Sequence, residues 1–250
     1  MCAEAFGLWR SLPRAAVPNA AVPNPLLPMT KTILITGSSR GIGRATALAL
    51  VAGGHRVIAA SRSGATVPGC QPLALDLTLP ESMAQAVTSL RNQGESIDVL
   101  INNAGGLVNR PYNMLTREDF MAMAQVNWIG PALWIQSLES LFAPGAHIVN
   151  IASMGGYQGA SKYPGLAAYA SSKAALVGLT ECLQAEWGDR GWTFNALCLG
   201  AVQTEMLAEA FPGYAAPTTP ETMGDYLAHF GLTGHETYAG AVLPVTKSNP

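Results

Sequence analysis

The apolar run Thr32-Ile33-Leu34-Ile35-Thr36 opens directly into Gly37-Ser38-Ser39-Arg40-Gly41-Ile42-Gly43, and the chain continues as Ala45-Thr46-Ala47-Leu48-Ala49-Leu50-Val51-Ala52 before Gly53-Gly54. β-branched residues favour a strand, the later run consists of good helix formers, and paired glycines supply a C-terminal stop. The segment therefore reads as strand, tight turn and helix. Such a turn aims free backbone N–H groups and the positive helix end at an anion, and its glycines let a pyrophosphate approach the backbone closely. A glycine-rich βα turn can also be purely structural. The flanking strand and helix are the context that the ligand-binding version requires.

Beyond it, strand patterns fall at 32–36, 56–60, 73–75, 98–102, 147–151, 194–199 and 241–245, and helical patterns at 42–53, 80–92, 117–142, 167–187 and 220–230. This alternation implies an α/β fold, a doubly wound parallel sheet of about seven strands of the Rossmann type, with right-handed crossovers and helices on both faces. Runs such as Val57-Ile58-Ala59-Ala60 lack polar alternation, as expected when both sheet faces are covered. Ligand then belongs outside the carboxyl ends of the strands. No internal repeat is visible.

Tyr169 and Lys173 stand four residues apart in Tyr169-Ala170-Ser171-Ser172-Lys173, on one face of a helix. A phenol titrates near pH ~10 and is a poor acid-base group at neutrality unless an adjacent cation favours its phenolate. Alone, the pair is weak evidence, since Tyr and Lys at this spacing more often just solvate a helix face. Taken with the glycine turn, it resembles the short-chain dehydrogenase/reductase family, in the single-domain branch with a T-G-x-x-x-G-x-G turn and a Y-x-x-x-K pair, among its 3-oxoacyl-carrier-protein reductase-like members. The resemblance runs from Thr32 to Val245. It takes in Asp76-Leu77, Asn102-Asn103-Ala104-Gly105, Asn127 and Ser153 in the family's order.

The resemblance implies hydride transfer between a nicotinamide and a carbonyl or alcohol carbon. Tyr169 would pass the proton to or from the oxygen, Ser153 would hydrogen-bond that oxygen, and Lys173 would lower the tyrosine's pKa and bind the nicotinamide ribose. Asn127 completes the implied catalytic set through a water held on its backbone carbonyl. Pro131, four residues on, gives that carbonyl an argument of its own, because it has no N–H to donate and should kink the helix beside Gly130. Implied cofactor contacts are Gly37, Ser38, Ser39, Arg40, Ile42 and Gly43 of the turn, Asp76 and Leu77 at the adenine, Asn103 at the adenosine ribose, Tyr169 and Lys173, and Val202 and Thr204 at the carboxamide. The second strand ends in Ser61-Arg62, where an acidic residue would select NAD(H). Arg62 and Arg40 could converge on a 2′-phosphate, so the expected cofactor is NADP(H).

Two departures from the family pattern stand out. Tyr157 to Gly165 lengthens the spacing between Ser153 and Tyr169, with Tyr157 and Tyr163 expected to shape the pocket; and Leu199-Gly200 replaces the usual Pro-Gly. Met206 to Pro220 reads as a mobile apolar lid, with Leu107, Val108, Met154 and Tyr157 as the other walls. A small, uncharged, fairly hydrophobic carbonyl or secondary alcohol is the expected substrate.

Charged residues make up 12% of the chain and the net charge is -2, so no strong field draws nucleic acid or an acidic membrane surface. Cys2, Cys70, Cys182 and Cys198 are scattered, without metal-ligand spacing, and are expected to be reduced; no metal is expected. The reading is of a cytoplasmic homodimer or homotetramer built on one domain, residues 31–250. Residues 1–30, rich in Ala and Pro, are expected to be a disordered tail, with Met29 the natural start. An alternative function is a catalytically silent NADP(H)-binding redox sensor or scaffold.

Overall fold

The computed structural model describes residues 30–247; the expectations for the tail, Thr30 apart, lie outside the described residues. Its strands are β1 (Thr32–Thr36), β2 (Arg56–Ser61), β3 (Gln71–Ala74), β4 (Ile97–Asn102), β5 (Phe142–Ser153), β6 (Thr193–Leu199) and β7 (Val242–Val245). Helices are α1 (Gly41–Ala52), α2 (Pro80–Asn92), α3 (Arg117–Ala124), α4 (Gly130–Ser137), α5 (Ala167–Trp187), α6 (Glu205–Ala210) and α7 (Pro220–Thr233). All the strands pair in parallel, in the order β3-β2-β1-β4-β5-β6-β7, so the expected doubly wound α/β sheet is the one observed.

Successive residues of the central strands enter opposite cores. Ile33 and Ile35 of β1 join Ala47 and Leu50 of α1 and Met223 and Leu227 of α7. Leu34 points the other way, to Val87 and Leu90 of α2 and Trp134 and Ile135 of α4, against which Leu183 and Trp187 of α5 also pack. Both faces are therefore apolar, and each fully buried Leu or Ile contributes roughly 1.5–3 kcal/mol. Because β2 and β4 flank β1 on opposite sides, the strand order reverses there. The carboxyl ends of β1 and β4 consequently border a crevice.

Two stretches differ from the sequence expectation. The single helix expected over 117–142 is α3, a π-helical turn at Gln125–Ile129 and then α4, with β5 starting at Phe142 rather than near 147. Gly130 N–H bonds the carbonyl of Gln125, five residues back, and Pro131 enters the first turn of α4. A proline cannot continue an α-helical ladder from below, and a wider turn absorbs the missing donor. A Cβ at Gly130 would lie 2.7 Å from the Leu77 carbonyl, so only glycine fits beneath the loop after β3. The segment expected to be a mobile lid, secondly, begins as the regular helix α6. Thr204 caps it by accepting the Leu207 N–H at 3.2 Å.

Candidate active site

At the carboxyl edge of the sheet lies a cleft of about 1000 Å³. Its middle is the glycine turn. Gly37 has φ +69°, and a Cβ there would sit 2.7 Å from Ala104 Cα; one on Gly43 would sit 2.4 Å from both Asn103 Nδ2 and the Gly37 carbonyl. The turns after β1 and β4 are thus pressed together as only glycine allows. Thr36 Oγ1 accepts the N–H groups of Asn103 and Ala104, both at 3.1 Å, and Asn103 Nδ2 donates to the carbonyls of Thr36 (3.0 Å) and Gly37 (3.1 Å).

Gly37, Ser39, Arg40 and Ile42 line the cleft. Ser38 does not: its backbone N–H and its hydroxyl both donate to the Ala60 carbonyl, at 3.1 and 3.0 Å, and it is fully buried. Gly43 likewise lies inside the turn. Ser38 and Gly43 thus support the turn from within, while Asn103, its side-chain N–H groups turned to the Thr36 and Gly37 carbonyls, lines the cleft.

Thr116, Thr204 and Thr219 side chains cap α3, α6 and α7, whereas the N-cap of α1 is Arg40, which makes no side-chain cap, and its first turn carries no acid. The N–H groups and dipole of α1 face the cleft without a capping side chain, a donor set suited to phosphate. At one end of the cleft are Arg62, Asp76 and Leu77. Asp76 Oδ1 accepts from the Thr78 hydroxyl (2.7 Å) and N–H (2.9 Å); chiefly the hydroxyl, then the N–H and the Arg62 charge, hold its carboxyl below the ordinary range against the opposing effect of burial. Charge at one end, the glycine cradle in the middle and an acid at the other end fit a dinucleotide.

That acid is Tyr169 on α5, across from Ser153 at the end of β5. Burial raises the phenol above its usual value, and a hydrogen bond with Ser153 partly offsets the rise. Ser153 Oγ also accepts the Gly155 N–H at 3.2 Å. Lys173 is 5% exposed and its Nζ donates to the Ile151 carbonyl at 2.8 Å; burial pushes it down to about 8. The Lys173 ammonium is turned to the Ile151 carbonyl, and burial is the largest influence on the phenol. Burial also pushes the Cys198 thiol up to about 12, keeping it protonated.

Asn127, from the π-helical turn, is fully buried behind the cleft. Its Oδ1 accepts the Gly106 N–H (2.9 Å), and its Nδ2 donates to the Gly106 carbonyl (3.0 Å) and Ser172 Oγ (3.0 Å). Ser172 Oγ in turn donates to the Tyr169 carbonyl at 2.7 Å. The side chain thereby ties the loop after β4 to the helix that carries Tyr169 and Lys173. A second tie was not foreseen: Asn102 Nδ2 donates to Asn150 Oδ1 and Asn150 Nδ2 to Thr180 Oγ1, both at 2.9 Å. The signal for it was an asparagine inside each of two apolar strands, where a buried amide demands a partner.

Leu107, Met154 and Tyr163 line the substrate side, roofed by Met206, Leu207 and Phe211. Val108 does not line the cleft, and Tyr157 packs with Ala152, Met154 and Cys198 instead, correcting its expected place in the pocket. Val202 is buried and forms an isolated bridge with Thr218, while Thr204 lines the cleft and caps α6. Leu199 remains within the ladder, opposite Ser153 and Val245. Among the described residues no group of three or more His, Cys, Asp or Glu could hold a metal.

The short chain dehydrogenase family model matches residues 31–215. A 3-oxoacyl-[acyl-carrier-protein] reductase of Synechocystis sp. is 32% identical over 187 residues, covering 69% of this chain and 74% of that protein. An acetoacetyl-CoA reductase of Shinella zoogloeoides is 32% identical over 191 residues, covering 72% and 77%. In fold, a 3-ketoacyl-(acyl-carrier-protein) reductase from Brucella melitensis, solved with NADH, superposes with a TM-score of 0.75 at 23% identity, over 86% of this chain and 96% of that one.

Proposed function

Since the chain belongs to the short chain dehydrogenase family and shares its NAD(P)-dependent oxidoreductase character, we propose that it is an NADP(H)-dependent carbonyl reductase in which Tyr169 is the proton donor. The observation that carries this reading is the hydrogen-bonded Ser153–Tyr169 pair, with Lys173 buried alongside, at one end of a cleft whose other end holds two arginines and no acid at the close of β2. The cofactor supplies or accepts the hydride. Ser153 and Tyr169 would converge on the carbonyl oxygen, and the Tyr169 phenol would give that oxygen its proton, with Lys173 lowering the phenol's pKa against the rise that burial causes. Lys173 would hold the nicotinamide ribose and replenish the proton. Asn127 supports this reading as a positioning residue, through Gly106 and Ser172.

Arg40 and Arg62 would take the 2′-phosphate, Asp76 and Leu77 the adenine, the turn's N–H groups the pyrophosphate, and Val202 and Thr204 the carboxamide. A small, uncharged, largely apolar ketone suits the roof of Met206, Leu207 and Phe211. The chain would act as one catalytic domain in the cytoplasm; no helix among the described residues is long and apolar enough to cross a membrane. Exposed Met121 and Leu133 (52% and 42%), with Trp128, support self-association through α3 and α4 as a dimer or tetramer.

The test is oxidation of NADPH and NADH by the purified protein against ketones, aldehydes, quinones and β-keto esters, with Tyr169→Phe alongside. Turnover with NADPH that is lost in Tyr169→Phe is expected. Nucleotide binding with no turnover on any carbonyl would favour a sensor instead.

A further inference from the structure

Helix α6 roofs the cleft, yet none of its residues is buried. Six residues are too few to hold a helix by propensity, so its contacts decide whether it stays in place. Beyond the Thr204 cap, two adjacent residues at its far end reach separate loops. Glu209 Oε1 lies 3.6 Å from Arg40 Nη1 of the glycine turn, and the Ala210 carbonyl accepts Asn109 Nδ2, from the segment after β4, at 2.8 Å. Glu205, one turn earlier on the same face, places a carboxylate oxygen 3.7 Å from a Cβ built on Gly41, beside the open end of α1. Both carboxylates line the cleft. The roof thus presents two negative charges, four residues apart, to the cationic wall that a phosphorylated nucleotide needs.

We infer that Glu209 stands in for the cofactor's 2′-phosphate on Arg40, so that a nucleotide carrying that phosphate releases the cofactor side of α6 whereas one lacking it does not. This rests on the NADP(H) reading above. Arg40 has one guanidinium and two competing anions. A dianionic phosphate also shared with Arg62 outbids a single, 71% exposed carboxylate, and Glu209 then repels the phosphate as well as losing its partner. Freed from Arg40, α6 keeps its cap, its bond with Asn109 and the packing of half-buried Met206, Leu207 and Ala210. The roof over the substrate therefore becomes sensitive to which cofactor is bound, although the phosphate itself lies at the opposite end of the dinucleotide from the reacting carbon.

Adenosine 2′,5′-bisphosphate and adenosine 5′-monophosphate separate the phosphate from the nicotinamide and need no turnover. Titration calorimetry on the full chain should show the bisphosphate binding more tightly, and Glu209→Gln should tighten it by about threefold more, the scale of an exposed ion pair, with the monophosphate unchanged. Hydrogen exchange at the amides of Leu207, Ala208 and Phe211 should accelerate with the bisphosphate but not the monophosphate, and should already be fast in Glu209→Gln. If Glu209→Gln alters neither nucleotide, or both equally, and α6 exchange ignores the phosphate while the bisphosphate is still preferred, the gate is wrong and the cofactor reading survives. Equal affinity of the wild type for both nucleotides removes the cofactor reading and the gate with it.

Discussion

Two ionisable environments adjoin β5, and they are built to opposite effect. Midway along the strand, His147 is fully buried with both ring nitrogens partnered, Nδ1 with the Gly231 carbonyl (2.9 Å) and Nε2 with Asn195 Nδ2 (3.0 Å). Its pKa is pushed down to about 4, mainly by burial, so the neutral ring is at home there. At the carboxyl end, Lys173 is as deeply buried with one carbonyl, that of Ile151, as its hydrogen-bond partner, and an ammonium can make three such bonds. Burial with every polar demand met builds stability; burial with demand left open stores a reactive group at a cost in stability.

Replacing the buried group in each environment should separate the two. Lys173→Met is expected to lower turnover by about 10²- to 10⁴-fold while leaving the unfolding free energy equal or higher, because an incompletely paired buried charge goes. Kinetics and denaturant unfolding on the same samples check it; a large loss of stability would break the comparison. Lys173 has its pKa lowered from 10.5 to about 8, so the unfolded chain binds more protons between those values and stability should climb as pH rises through that window.

The His147 environment follows the same sign in a lower pH window. His147 falls from 6.5 to about 4, so its contribution is complete above pH 6.5 and is lost as the pH drops towards 4, by about 3 kcal/mol over the window. Unfolding measured across that range should show this slope flattened in His147→Leu. At neutral pH the same variant should cost about 2 kcal/mol by unpairing the Gly231 carbonyl, with turnover per folded molecule unchanged. Smallest of all, Ser172→Ala should remove about 1 kcal/mol and lower turnover only a few-fold, since it loosens the tie between Asn127 and the Tyr169 carbonyl without touching a reacting group. A loss as large as that of Lys173→Met would show that the tie, rather than the lysine, governs the site.

Much of the frame was readable because it rests on local chemistry. Apolar runs, the glycine turn and the Tyr169–Lys173 spacing each announce an element through residues adjacent in the chain. What escaped reading depends on partners distant in sequence. Ser38 looks like any turn serine until β2 arrives to accept its hydroxyl. Tyr157 and Tyr163 are equivalent as letters, and only the packing of β6 and α5 draws one into a core and leaves the other on the cleft. Helix α6 had a legible cap and good helix formers after Thr204, but the apolar residues and the prolines that follow it suggested a mobile lid. The direction of the Lys173 ammonium was not legible at all, being set by the Ile151 carbonyl across the sheet.

The π-helical turn at Gln125–Ile129 bears on how this chain can change in length. Each helical residue advances the side-chain direction by about 100°, so one residue absorbed in a wider turn rotates everything downstream by that angle. Upstream, α3 packs on α5; downstream, α4 packs on α2 and buries Trp134 and Ile135. Insertions and deletions that a surface loop would tolerate are barred here, because losing a single residue from this turn would swing Trp134 towards solvent or Asn127 away from Gly106. The stretch from 117 to 137 can therefore vary its letters but not its count.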